Sequence, residues 1–157
     1  MKLTSTKIIT ACAIILATNS AIANTAQSEK HANKATDLRQ SVFSLLGANM
    51  GQLGAMAKGK IPVDAKIVEK NATRINQISY MIDDFTKTDT TAYKVDTAAL
   101  AKVWSERTAF ENKINNLTLA SAKLVKVSTS GDESAIKAAI GGMGKTCGSC
   151  HDDFKAD

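Results

Sequence analysis

The sequence has 157 residues, of which 44% are hydrophobic and 22% charged, and its formal net charge is +5. That length suits one domain with a single core, and the single proline and 4% aromatic residues favour helices over a sheet. The lysines are spread along the chain without an aromatic or arginine-rich patch, so the charge does not indicate binding to nucleic acid or to an anionic membrane.

The first 23 residues have the pattern of a secretory signal peptide. Lys2 and Lys7 give a positive start, Ile8–Ala17 forms an apolar core, and Ala21-Ile22-Ala23 matches an A-x-A cleavage site. The apolar core is too short to stay as a membrane anchor, and no later segment reaches about 20 uninterrupted apolar residues. We therefore expect cleavage after Ala23, export, and a mature domain of residues 24–157 without a membrane span.

The first half of this domain predicts two amphipathic helices. The first runs from about Ser28 to Ala57 and ends near Lys58-Gly59-Lys60, with Pro62 just beyond. Its apolar stripe comprises Leu38, Val42, Phe43, Leu45, Leu46, Met50 and Leu53. The second helix begins near Val63 or Asp64, and its seam has the alternating spacing of a bundle: Ile67, Asn71, Ile75, Ile78, Ile82 and Phe85.

Two further helices are predicted after the longest connection, residues 87–95. Asp96 or Thr97 can cap the third helix, and Ser130 with Glu133 can form a capping box for the fourth after Gly131. The third seam comprises Leu100, Val103, Arg107, Phe110, Ile114, Leu117, Ser121 and Leu124, and the fourth comprises Ile136, Ile140, Met143, Cys147, Cys150 and Phe154. Four such helices with short links predict an all-α, antiparallel up-down-up-down four-helix bundle that holds a cofactor between facing helices.

The last of these helices carries the most specific motif of the chain, Cys147-Gly148-Ser149-Cys150-His151. Two thiols three residues apart and an adjacent imidazole are typical of covalent haem attachment. Residues three apart on a helix share a face, so both thiols can reach two vinyl groups on one edge of the ring. We predict one haem c per chain, bound covalently through Cys147 and Cys150, with His151 as the axial ligand of the iron.

Three other uses of the two thiols fit the sequence less well than haem attachment. A structural disulfide needs no histidine, and a zinc site needs two more ligands, for which His31 and scattered carboxylates are poor candidates. A thioredoxin-like redox pair would follow a strand at a helix N-terminus, whereas here a helical pattern runs into the motif.

Several short motifs resemble those of the class II c-type cytochromes, and within them the cytochromes c′. They are Arg39-Gln40-Ser41, Lys58-Gly59 with Pro62 and Asp64, Val103-Trp104-Ser105-Glu106 with Phe110, the pair Gly141 and Gly144, and the terminal C-x-x-C-H-x-x-F-K. The resemblance covers almost the whole mature chain. It implies a four-helix bundle, a homodimer packed through the first two helices, and a five-coordinate haem c in the bacterial periplasm.

The resemblance also assigns roles to residues of the first helix. It implies that Arg39 and Gln40 lie on the propionate side of the haem and that Phe43 covers the iron on the side opposite His151. A basic residue on a core-facing stripe needs a buried anion, which the propionates would supply. Lys155 stands where many members of the family have arginine beside the proximal imidazole, and Trp104 is expected to pack in the core.

An iron held by one imidazole under an apolar lid is expected to bind nitric oxide and carbon monoxide, whereas dioxygen would lack a polar donor. The sequence therefore predicts a periplasmic, non-enzymatic haem protein that captures nitric oxide and contributes to nitric oxide tolerance. The alternative is an electron carrier that cycles between ferric and ferrous iron. Weak peroxidase-type catalysis ranks last, because a distal histidine and arginine pair is missing.

Overall fold

A computed structural model describes residues 24–156, so the predicted signal peptide lies outside the described residues. The helices are α1 (Glu29–Ala57), α2 (Ala65–Thr86), α3 (Lys102–Ser105), α4 (Arg107–Ser128) and α5 (Glu133–Phe154). Two short strands, β1 (Asn24–Thr25) and β2 (Thr88–Asp89), pair in parallel. In the part of the chain that is described, no helix has the length and apolarity needed to cross a membrane.

Helices α1 and α2 begin close to the predicted positions, and a side chain caps each start. Ser28 caps α1, its hydroxyl accepting from the backbone N–H of His31, and the Asp64 carboxylate accepts from the first N–H groups of α2. Beyond α1, Gly59 adopts φ +67°, a left-handed conformation that glycine takes without the steric penalty of a side chain.

The four long helices form the predicted antiparallel up-down-up-down bundle. Helix α1 packs against α2 and α5, and α4 packs against the same two helices. Their apolar faces meet in one core, whose fully buried members include Leu53, Met56, Val68, Ile75, Leu124, Ile136, Ile140 and Met143. The fold class is therefore confirmed.

The third helix starts later than predicted, and neither Asp96 nor Thr97 caps it. The chain stays non-helical to residue 100, α3 contributes one turn, and a break at Glu106 (φ −116°, ψ 45°) precedes α4. The reason is a long-range pairing, because the N–H of Leu100 donates to the carbonyl of Phe154 at 3.0 Å. The N–H of Ala156 donates in turn to the carbonyl of Ala98 at 2.8 Å.

The predicted capping box of the last helix is also wrong. Asp132 caps α5, and its carboxylate accepts from the N–H of Ala135 at 2.9 Å. Gly131 reverses the chain with φ +73°, which leaves Ser130 before the turn. There its hydroxyl accepts from the N–H of Asp132 at 3.2 Å.

Part of the predicted stripe on α1 faces outward. Leu38 and Leu45 are 41% and 54% exposed, while the buried face includes Thr36 and Arg39. On α2, small and polar residues take several buried positions, among them Ser79, whose hydroxyl lies 2.8 Å from that of Thr118 on α4. The predicted seam of α2 is buried or half-buried at every position, and small side chains such as Ser79 widen the buried face where the helices approach closely.

Candidate cofactor site

One cavity of about 620 Å³ lies inside the bundle, within the range of about 300–1,000 Å³ that is common for ligand and cofactor sites. Every long helix contributes to its wall, and so does the extended segment of residues 97–99. Most lining side chains are apolar, including Phe43, Leu46, Met50, Ile75, Ile82, Val103, Phe110, Ile114, Leu117, Met143 and Phe154.

Helix α5 places all three residues of the predicted attachment motif on this cavity. Cys147, Cys150 and His151 line it together, and both thiols are free and half-buried. Burial raises the pKa of Cys147, and it raises the pKa of Cys150 to about 11 although the charge of Lys113 opposes the shift. Both groups are therefore weaker acids than an exposed thiol.

Helix α1 brings a buried cation to the same cavity. Arg39 is only 2% exposed, and its Nη2 donates to the hydroxyls of Thr36 at 3.3 Å and Thr97 at 3.2 Å. Its Nη1 is buried and has no hydrogen-bond partner among the described residues. Burial lowers the pKa of the guanidinium, because a charged group loses hydration when it leaves water. An acceptor that carries negative charge would satisfy both the free N–H and the charge.

The indole ring of Trp104 packs against this guanidinium. The Cζ atom of Arg39 lies 5.1 Å from the centroid of the Trp104 ring, within cation–π range. The indole Nε1 donates to the carbonyl of Thr86 at 3.0 Å, which fixes the ring. Trp104 is 8% exposed, so the expectation that it packs in the core is met.

Gln40 and Phe43 also line the cavity, from the wall formed by α1. The amide Nε2 of Gln40 donates to the carbonyl of Asp96 at 2.8 Å, which ties α1 to the extended connection. Phe43, which is 37% exposed, lies on α1 near Leu46 and Met50, which line the same cavity. His31 is exposed near the start of α1, does not line the cavity, and accepts a hydrogen bond from the N–H of Gln27.

Two lysines lie near the end of α5 on the cavity wall. Lys155 donates to the adjacent carbonyl of Ala156 at 3.0 Å. Lys113 on α4 donates to the hydroxyl of Ser149 at 2.6 Å and pairs with Asp153 at 2.7 Å.

Sequence reasoning did not find the roles of Thr36, Thr97 and Lys113. The sequence predicts Thr97 as a helix cap and gives no role to Thr36 or Lys113. Thr97 contacts a residue 58 positions away, and Lys113 contacts one 36 positions away. The only local signal is that Thr36 lies three residues before Arg39, a spacing that places two helical side chains side by side.

These residues fit a haem. The site offers two thiols and one imidazole on a single helix, an apolar interior for a flat ring, and a buried cation with one unsatisfied donor for an acidic substituent. Within residues 24–156, no three His, Cys, Asp or Glu side chains form a group that could hold a bare metal ion.

Comparison with known proteins agrees with this chemistry. The family model described as cytochrome C′ matches residues 34–155. The chain is similar to cytochrome c′ of Rubrivivax gelatinosus, with 35% identity over 127 residues, 77% of this chain and 93% of that protein. It is also similar to the solved structure of cytochrome c prime from Shewanella frigidimarina, with a TM-score of 0.73, 34% identity and coverage of 80% of this chain and 97% of that one. A ferrous variant of cytochrome c prime from Alcaligenes xylosoxidans with bound NO has a TM-score of 0.70 and 25% identity, with coverage of 80% and 96%.

Proposed function

Because the chain belongs to the cytochrome c′ family, whose members carry covalently bound haem c, we propose that it is a haem protein that binds small uncharged gases. The observation that carries the proposal is one cavity that joins the C-x-x-C-H motif of α5 to the unsatisfied Nη1 of Arg39 on α1. Bound there, the haem would supply an iron to which a small gas could bind.

Cys147 and Cys150 are the proposed attachment points, and His151 is the proposed axial ligand. Support comes from their common position on the wall of the cavity. No other histidine lines the cavity, so His151 is the imidazole that can reach an iron inside it.

Arg39 and Gln40 are proposed to hold the propionate side. The free Nη1 of Arg39 can donate to a carboxylate, while Thr36 and Thr97 hold the other end of the guanidinium. Gln40 keeps its amide nitrogen bonded to Asp96, so its contribution is to fix the wall on which Arg39 lies.

Phe43 is proposed to cover the iron on the α1 side. Phenylalanine cannot ligate iron and offers no hydrogen-bond donor. Bound dioxygen benefits from such a donor, whereas nitric oxide and carbon monoxide bind ferrous haem without one. The relative from Alcaligenes xylosoxidans with bound NO supports a gas of this kind as the ligand.

The proposed role is capture of nitric oxide in the periplasm, after export and cleavage at Ala23, without catalysis. A homodimer is proposed as well. It is supported by large apolar side chains that are exposed on the first two long helices, namely Leu38 and Leu45 on α1 and Tyr80 and Met81 on α2.

Absorption spectra of the ferric and ferrous protein, produced in cells that mature c-type cytochromes, test this function. We expect a high-spin, five-coordinate haem whose ferrous spectrum changes when nitric oxide or carbon monoxide is added. A low-spin spectrum of the methionine type would contradict gas capture and favour the electron carrier. Met50→Leu is the matched variant, because it removes a thioether that lines the cavity and should leave the spectrum unchanged.

A further inference from the structure

Lys113 links two helices at the turn that carries the attachment motif. From α4, its ammonium donates to the Ser149 hydroxyl at 2.6 Å and lies 2.7 Å from the Asp153 carboxylate, both on α5. Among residues 24–156, this is the only salt bridge between α4 and α5.

The two residues that Lys113 contacts lie on either side of the proposed haem-binding residues Cys150 and His151 in the chain. Ser149 and Asp153 are four positions apart and therefore share one face of α5. Cys150 and His151 lie between them in the chain. A single ammonium thus holds both ends of this turn, and the rotation of the turn about the helix axis sets the direction of the imidazole.

The lysine is also part of the cavity wall. Its side chain is only 22% exposed and lines the large cavity on one side. On the other side it lines a shallow surface depression with Asn116, Lys145 and Ser149. The Asp153 side chain is 52% exposed, so the lysine end of the ion pair is partly enclosed while the carboxylate end faces water.

We propose that Lys113 is a positioning residue that fixes the orientation of the His151 turn and keeps the Asp153 carboxylate neutralised beside it. The inference rests on the proposed attachment of haem at Cys147 and Cys150. With Lys113 removed, the unpaired carboxylate should stabilise the more positive ferric iron, and the imidazole should lose part of its fixed orientation.

The test uses the haem-loaded protein with Lys113→Met, Lys113→Arg and Asp153→Asn. At a fixed potential, we expect Lys113→Met to raise the ratio of ferric to ferrous protein about threefold, or about 30 mV for one electron. Asp153→Asn should lower the ratio of ferric to ferrous protein. Lys113→Arg keeps the positive charge, so its ratio should equal that of the unmodified protein. Resonance Raman spectra should show a shifted or broadened iron–histidine stretching band for Lys113→Met alone.

Lys137→Met is the matched control, because Lys137 also pairs with a carboxylate on α5, Glu133 at 2.6 Å, yet does not line the cavity. If Lys113→Met lowers the unfolding temperature but leaves both the potential and the iron–histidine band unchanged, the lysine is only structural and the inference fails. If the unmodified protein contains no haem, the proposed function itself fails, and the two results cannot be confused.

Discussion

The guanidinium of Arg39 lies over the indole ring of Trp104, 5.1 Å from its centroid, in the interior of the bundle. The ring is fixed by its hydrogen bond to Thr86, and two threonine hydroxyls hold one end of the guanidinium. The buried Nη1 has no partner among the described residues and can bind a further group. The position of Arg39 is therefore set by the protein before any anion binds, which favours recognition of a carboxylate.

Replacing Arg39 with methionine should destabilise the haem-loaded protein. The change leaves a buried propionate without its cation, and removing one partner of a buried pair costs about 3–5 kcal/mol. Denaturant unfolding monitored by haem absorbance would measure the loss. Arg74→Met is the control, since Arg74 is exposed on α2 and should change the free energy of unfolding by less than about 0.5 kcal/mol. Equal effects of the two substitutions would contradict the role of Arg39.

Trp104→Phe should cost less than Trp104→Leu. Phenylalanine keeps an aromatic face for Arg39 but loses the indole N–H bond to Thr86, worth about 1 kcal/mol. The carbonyl of Thr86 keeps a second donor, Nη1 of Arg107 at 3.3 Å, so it is not left unsatisfied. Leucine also removes the cation–π contact, worth about 0.5–2 kcal/mol more. Equilibrium unfolding of both variants checks the order, and the reverse order would exclude the stacking contribution.

Phe43→Ala should speed the binding of carbon monoxide to the ferrous protein. If the ring crowds the iron, its removal lowers the barrier by about 1.4 kcal/mol or more, which is about tenfold in rate. Flash photolysis measures this rate. Ile61→Ala is a suitable control, because Ile61 is also 37% exposed but lies outside the cavity. An unchanged rate in Phe43→Ala would mean that another side chain covers the iron.

Leu45→Glu should dissociate the proposed homodimer. Leu45 is 54% exposed on α1, and a buried carboxylate without a partner would oppose association through that helix. Sedimentation velocity gives the mass in solution. Leu119→Glu on α4, where the leucine is 61% exposed, should leave the dimer intact. Dissociation by the second substitution alone would place the interface on α4.

Asp83 should contribute to stability at neutral pH and lose that contribution in acid. Burial acts to raise the pKa of this carboxyl, but hydrogen bonds and charge interactions with Lys87 and Arg107 outweigh it and lower the pKa. Because the pKa of Asp83 is lower in the folded protein than in the unfolded chain, its carboxylate contributes to the free energy of unfolding. This contribution is complete above about pH 4 and disappears as the pH falls through the pKa of the folded state. The carboxylate is 39% exposed, so solvent screening limits the effect to about 0.5–1 kcal/mol.

Unfolding of Asp83→Asn between pH 7 and pH 2 tests this. The variant should be less stable than the unmodified protein at pH 7, and the difference should vanish at the acidic end. Asp37→Asn provides the control, because Asp37 is exposed on α1 and has no ion pair among the described residues. A difference that persists unchanged at low pH would assign the effect to packing.

The sequence was sufficient where the relevant interactions are local. Helical periodicity and the C-x-x-C-H spacing depend on residues within one or two turns, and the positions of α1 and of the start of α2 were predicted correctly from such local patterns. The start of the third helix depends on pairing between residues 98–100 and 154–156, which no local pattern encodes. For the same reason, Thr97 was predicted to cap a helix but contacts Arg39 instead.

Choices between equivalent groups were the other source of error. Ser130 and Asp132 can each cap a helix, and the backbone at Gly131 decides between them. Leu38 and Leu45 extend a stripe that is wider than the buried face of α1, and the packing of α2 and α5 determines which part is covered.

The pairing of residues 98–100 with 154–156 has a practical consequence for how the protein is produced. The backbone N–H of Ala156 is already bonded to Ala98, whose neighbours form a wall of the cavity. A truncation that removes Ala156 would abolish this hydrogen bond and loosen the wall of the cavity formed by residues 97–99. A loss of haem colour in such a shortened protein would then reflect the altered wall and not the loss of a residue that contacts the haem.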